Sequence, residues 1–248
     1  MSLGRDIVRV AMADLFYLKR NVWVLLATSL VTPLLYLVAF GYGLGKGVIM
    51  DGVPYLAFMI PGVVALTTLT SSFSSIANKI MVQRRFYESF DELRLCPISC
   101  ASVVIGKTVL GVVKGMLCGL LLLFLGHFLC AELQINAGLI TVMLISCFVY
   151  SLLGVTAGLL ARGLPTMNLF NSFVILPMTF LCGTMFSLSA LPQAAQDIIW
   201  ALPLTHTTEC IRASALGWAF PWTSLLILCL YAVVFYAVSW YVLKTGKE

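Results

Sequence analysis

Charge is scarce in this chain. Only 10% of its 248 residues are Asp, Glu, Lys or Arg, where soluble domains carry ~25%, and that excludes a water-soluble globule. His127 and His206 are the only imidazoles. No third polar partner sits at helical spacing beside His127, so haem ligation and a proton relay lack support. None of the eight cysteines forms a C-x-x-C pair, which removes the usual spacing for zinc or redox work. Cys118, Cys147, Cys182 and Cys229 lie in apolar runs, where a free thiol behaves as a small hydrophobe. Low-complexity segments, internal repeats and linkers are missing too, so residues 1–248 read as one membrane domain. The nucleotide motifs fail as well. Gly106, Lys107 and Thr108 imitate the end of a Walker A loop, but Ala101 stands where its first glycine belongs. No cofactor and no nucleic acid is expected on this chain.

Apolar residues fill the space that charge leaves. They make up 61% of the sequence, and the mean hydropathy is +1.03, the signature of a chain whose solvent is lipid. The first twenty residues do not read as a signal peptide, because Arg5, Asp6, Arg9, Asp14, Lys19 and Arg20 interrupt any apolar core. Leu3, Ile7, Val8, Ala11, Leu15 and Leu18 share one helical face, with Asp14 intruding on it. The segment 1–20 is therefore expected to lie along the membrane surface. Six apolar runs follow, near Val22–Leu44, Tyr55–Ile76, Ser102–Leu129, Gly138–Leu160, Met167–Leu188 and Trp222–Leu243, each close to the ~20 residues a span needs. The fold class is an all-α integral membrane protein with six transmembrane helices. Placing both termini inside puts twelve Lys and Arg on the cytoplasmic side and leaves only Lys46 and Arg212 outside, as the positive-inside rule requires. The expected location is the cytoplasmic (inner) membrane, with its lipid as a partner. Cys130 and Cys210 then share the outer side, where a bridge between them is chemically permitted.

Two segments depart from plain spans. Lys79–Arg94, within the region 79–97, holds seven of the twenty-five charges. Arg84 and Glu88 stand at i,i+4 beside Arg85, Phe86, Phe90 and Leu93 line up at i, i+4, i+7, and Pro97 closes the run. Such a helix either rests on lipid or docks in a partner's groove. The segment 189–221 is too apolar for a solvated loop and breaks at Pro203 into pieces too short to span. A re-entrant hairpin and an amphipathic surface helix both fit it. Within it, Glu209 and Arg212 at i,i+3 could neutralise each other, and His206 lies beside them at the mouth of the membrane.

Polar residues also align inside spans. Thr67, Thr70, Ser71, Ser74 and Asn78 share a face of span two, and Asn168, Asn171, Ser172 and Thr179 follow one another in span five. Polar side chains in lipid turn inward, for helix packing or for a substrate route. Gly111, Gly115 and Gly119 predict close backbone approach in span three. Lys114 among them is expected to snorkel toward the cytoplasm.

The run from Ser89 to Pro97 (SFDELRLCP) resembles the E-x-L-x-x-x-P stretch of the membrane subunits of type-2 ABC exporters. The runs Gly183–Pro192 (GTMFSLSALP) and Leu202–Arg212 (LPLTHTTECIR) are similar to that family's outer signature, with Ser187 where it often has proline. The family includes NodJ-like lipo-oligosaccharide exporters and polysaccharide and drug exporter permeases. The resemblance implies a cytoplasmic coupling helix that docks an ATPase through Arg84, Arg85, Phe86, Glu88, Phe90 and Leu93. It also implies an outer re-entrant helical hairpin, read here as a lid that includes His206, Glu209 and Arg212. A second permease copy and two copies of a separate ATPase subunit, which carries ATP and Mg, are the implied partners. Thr67, Ser71, Ser74, Asn168 and Asn171 would line the route of an amphipathic, glycan or lipid substrate. The rival class is an ATPase-independent channel or integral membrane enzyme, which paired intramembrane carboxylates or a metal-ligand cluster would have favoured.

Overall fold

The computed structural model describes residues 3–44, 47–87, 89–130, 133–186, 188 and 192–245. Among these, six helical segments are long and apolar enough to cross a membrane: Gly4–Gly41, Tyr55–Arg85, Cys100–Leu129, Ala137–Leu160, Leu164–Leu181 and Trp222–Thr245.

Helix α1 (Leu3–Tyr36) bends at Asn21, whose φ of −116° and ψ of 17° leave the helical region. The surface segment and the first span are thus one rod with a kink. Pro33 removes an amide from its last turns, and the chain loosens into a π-helical segment at Leu37–Leu44. A two-residue hairpin, β1 (Ile49–Met50) with β2 (Val53–Pro54), pairs antiparallel and leads into α2 (Tyr55–Arg85). The second span therefore runs on to Arg85 instead of stopping near Ile76. After it come the short α3 (Ser89–Leu95), α4 (Cys100–Leu129) and α5 (Ala137–Leu160). Ser99 and Asn136 cap α4 and α5 by accepting the amides of Ser102 and Leu139.

Span five is broken into α6 (Leu164–Phe170), a π-helical stretch at Asn171–Ile175 and α7 (Leu176–Leu181). Pro177 has no amide to give the carbonyl one turn back, so the ladder slips at Phe173. The span closes at Leu181 rather than near Leu188, because Gly183 turns the chain with a φ of +65°. Helices α8 (Gln193–Trp200) and α9 (Pro203–Leu216) meet at the expected Pro203 break, and α10 (Trp222–Thr245) ends the described chain.

Helix α2 is the centre of the bundle. Its apolar window is 89% buried, against 11% for the corresponding windows of α1 and α10, and it packs on α4, α5 and α9. Its hydroxyls explain the choice: Thr67, Thr68, Ser71 and Ser72 are all buried, and lipid offers such groups no partner. The Thr67 hydroxyl donates to Val63 O at 2.7 Å and Thr68 to Ala65 O at 2.7 Å. The glycines of α4 admit this neighbour as expected. A Cβ on Gly111 would stand 2.9 Å from the Ser72 carbonyl oxygen, so the two backbones touch there. Tyr150 of α5 shares a 2.6 Å hydrogen bond with Thr207 of α9, and Thr156 a 2.8 Å bond with Ser239 of α10.

Leu18, Phe90 and Leu243 fall in one buried cluster, so both ends of the described chain lie at the same end of the bundle. That basic end also carries Lys79, Arg84, Arg85 and Lys107. The protein-facing side of the first helix is rotated from the sequence reading: Asp6, Val10, Ala11, Asp14 and Leu18 are buried while Val8 is exposed. All eight cysteines, Cys130 and Cys210 included, are free thiols.

Candidate functional site

Two neighbouring cavities run along α2. The first, about 380 Å³, is walled by Thr28, Thr32, Ser71, Ser74, Lys114 and Thr179 among others. The second, about 560 Å³, continues toward the basic end past Ser75, Asn78, Lys79 and Gln83. Ser74 and Lys114 belong to both walls. From Leu66 to Gln83 the pair follows eighteen residues of α2, roughly 25 Å at 1.5 Å per residue. Ser71 and Ser74, read from sequence as route residues, do face this space. Thr67 does not; it packs inward with its hydroxyl on Val63. Asn168 is exposed and Asn171 half-buried, and neither walls these cavities. Thr179 represents span five instead.

Lys114 was read from sequence as a snorkelling side chain. It is 7% exposed, and it turns into the cavities from the middle of α4. Thr28 and Thr32, at i,i+4 in the first span, join it as wall residues that the sequence reading does not name. Their spacing is the same signal that marked span two.

At the basic end Asp14 joins three helices. Lys79 Nζ lies 2.9 Å from its Oδ1, and Lys107 Nζ lies 3.1 Å from its Oδ2. Lys107 also donates to Gln83 Oε1 at 2.9 Å. The residue that had merely interrupted an apolar face is thus the electrostatic tie among α1, α2 and α4.

The coupling-helix residues divide in two. Helix α2 ends at Arg85 with Phe86 as its cap, and the next helix starts only at Ser89. The two helices do not share a phase, so the i, i+4, i+7 stripe breaks up. Phe90 is 3% exposed and packs with Leu18, Val103 and Val104, and Leu93 is half-buried. Arg84 donates to the Leu159 carbonyl at the end of α5. What faces outward is Arg85, Phe86 at 61% exposure and Tyr87 at 74%. Glu88 lies outside the described residues.

At the opposite end, Glu209 and Arg212 do not pair. Arg212 Nε donates to Phe58 O at 3.3 Å and Nη2 to Gly183 O at 3.0 Å, with the guanidinium 3.6 Å from the Phe58 ring centroid. Two carbonyls and a ring take up the guanidinium, while the half-buried Glu209 carboxylate is bonded elsewhere. Burial pushes the guanidinium down to about 10, while Asp51 and Glu209 oppose the shift. Glu209 accepts instead from Ser224 Oγ at 2.6 Å, and His206 Nδ1 lies 3.1 Å from the same oxygen. The serine's one proton goes to Glu209, so Nδ1 carries hydrogen and donates to Ser224. Burial lowers the His206 pKa, with the Glu209 charge opposing. Among the described residues, no three His, Cys, Asp or Glu side chains come together as a metal site.

Six membrane-length helices, with two cavities walled by hydroxyl-bearing, charged and apolar residues mainly of α1, α2 and α4, define a multi-pass membrane protein. Residues 8–216 match the ABC-2 type transporter family. The chain is 25% identical over 233 residues to the inner membrane transport permease YadH of Escherichia coli K12, with 92% of this chain and 90% of that protein covered. It is 29% identical over 218 residues to nodulation protein J of Rhizobium meliloti 1021, covering 85% and 82%. Nodulation protein J of Rhizobium leguminosarum bv. viciae is also 29% identical, over 222 residues, covering 85% and 83%. The chain belongs to the ABC-2 type transporter family, as the membrane transport subunit of an ABC transporter.

Proposed function

We propose that this chain is the permease subunit of an ATP-driven exporter that moves an amphipathic substrate of the glycan or lipid type out of the cytoplasm. The observation that carries the reading is the pair of neighbouring cavities, whose walls mix hydroxyl and lysine groups with apolar side chains as they rise from the basic end to the middle of the bundle beside Lys114. A path entered from the cytoplasm suits export, and the excess of Lys and Arg at that end favours the cytoplasm. Two permease copies pair in the membrane, each with an ATPase subunit beneath it, and the partner subunits hold ATP and Mg. Arg85, Phe86 and Tyr87 are the exposed groups at the basic end that suit the ATPase contact. Helices α8 and α9 close the opposite end.

Co-expression with an ABC ATPase encoded beside the gene tests this. The two should co-purify in equal copy number, and ATP turnover should drive substrate out of the cytoplasm. A chain that binds no ATPase, or one that conducts without ATP, would return the protein to the channel reading.

A further inference from the structure

Lys114 is a cation without a counter-charge. It sits fourteen residues into α4, about 21 Å along a helix with a 1.5 Å rise per residue, which is deeper than a lysine stem can snorkel to either surface. It is 7% exposed, and no hydrogen-bond or ion-pair partner holds its ammonium among the described residues. Asp14, the buried carboxylate on the neighbouring helix, is already taken by Lys79 and Lys107. Around the same cavity stand the hydroxyl-bearing Thr28, Thr32, Thr70, Ser71 and Ser74. The Ser71 hydroxyl is buried beside the weakly bonding Cys118 thiol and has no nitrogen or oxygen hydrogen-bond partner. A buried cation and a buried free donor facing one cavity are both satisfied by a single anion. Pro33, Tyr36 and Leu66 supply an apolar wall in the same space.

We propose that Lys114 and Ser71 form a binding site for the negatively charged head group of an amphiphile, whose apolar part lies along Tyr36 and Leu66. The transport role of this site rests on the exporter reading above; the binding itself does not. The site gives the carried molecule a charge sign. An anionic amphiphile meets the cation midway along the path, whereas a cationic one is repelled there.

The test uses the full chain purified without any ATPase, in phosphatidylcholine nanodiscs, with radiolabelled dodecyl phosphate as the probe. Unlabelled dodecyl phosphate should displace it at concentrations at least about tenfold below dodecyltrimethylammonium or inorganic phosphate, because the site joins a charge-assisted head-group contact to an apolar wall. Lys114→Met should weaken binding by about tenfold or more, and Lys114→Arg should retain it, since the charge is what counts. Ser74→Phe, which keeps the lysine and fills the cavity from the α2 side, should weaken binding too, and it serves if Lys114→Met fails to fold. Unchanged binding in Lys114→Met or Ser74→Phe, or equal displacement by the cation, overturns the site. Equal displacement by inorganic phosphate overturns the amphiphile. Because no ATPase is present, a negative result here leaves ATPase coupling standing, and a failure of coupling leaves this binding intact.

Discussion

The carboxylate of Asp14 lies 2.9 Å from the ammonium of Lys79, and Asp14 itself is 2% exposed. With Lys107 on its other oxygen, one acid neutralises two cations that would otherwise face each other across α2 and α4. Asp14→Asn should therefore be far more damaging than its isosteric shape suggests. Removing one partner of a buried pair costs about 3–5 kcal/mol. Thermal unfolding of the detergent-purified chain should drop sharply, and adding Lys107→Met should recover part of the loss. A single mutant as stable as wild type would show the pairing to be idle.

The exposed and buried aromatics near α3 should behave oppositely. Phe86→Asp with Tyr87→Asp should abolish ATPase co-purification and leave the monodisperse elution of the permease unchanged, because both side chains face outward. Phe90→Asp should instead destabilise the permease itself by several kcal/mol, since it buries a charge among Leu18, Val103 and Val104. The reverse result would return Phe90 to the docking surface.

Cysteine accessibility separates the route from the packing. In a background without native cysteines, Ser74→Cys should react with a water-soluble thiol reagent applied from the cytoplasmic side. Thr67→Cys, buried with its hydroxyl turned onto Val63, should stay protected. Equal protection of both would close the cavity as a path.

His206 makes the stability of the α9 end depend on pH. Burial holds its folded pKa below the ordinary value of 6.5, so the unfolded chain takes up the proton first as pH falls. The stabilisation is whole above about pH 6.5, declines as the pH drops below it, and levels off under the folded pKa. Wild-type Tm should therefore fall between pH 7.5 and 5.5 by more than that of His206→Asn. Parallel pH profiles would remove His206 as the cause.

Composition and periodicity were enough to determine a good deal about this protein. An apolar run of about twenty residues with few or no charges has one stable home, so the six spans and the Pro203 break were legible before any contact was known. The glycines at 111, 115 and 119 announced a helix crossing, because only small side chains permit one in lipid. Partner choice is a different matter, because it depends on which groups from distant segments meet. Spacing pointed to Glu209 with Arg212, yet the fold offers the arginine two carbonyls and a ring from α2 and the Gly183 turn. Periodicity put Phe86 and Phe90 on one face, but the chain turns between Arg85 and Ser89 and resets the helical phase. Asp14 looked like a blemish and Lys114 like a snorkelling cation. Only the packing of α1, α2 and α4 decided that the first would be neutralised by two lysines and the second left facing a cavity, because a buried charge takes its role from whatever the tertiary structure places beside it.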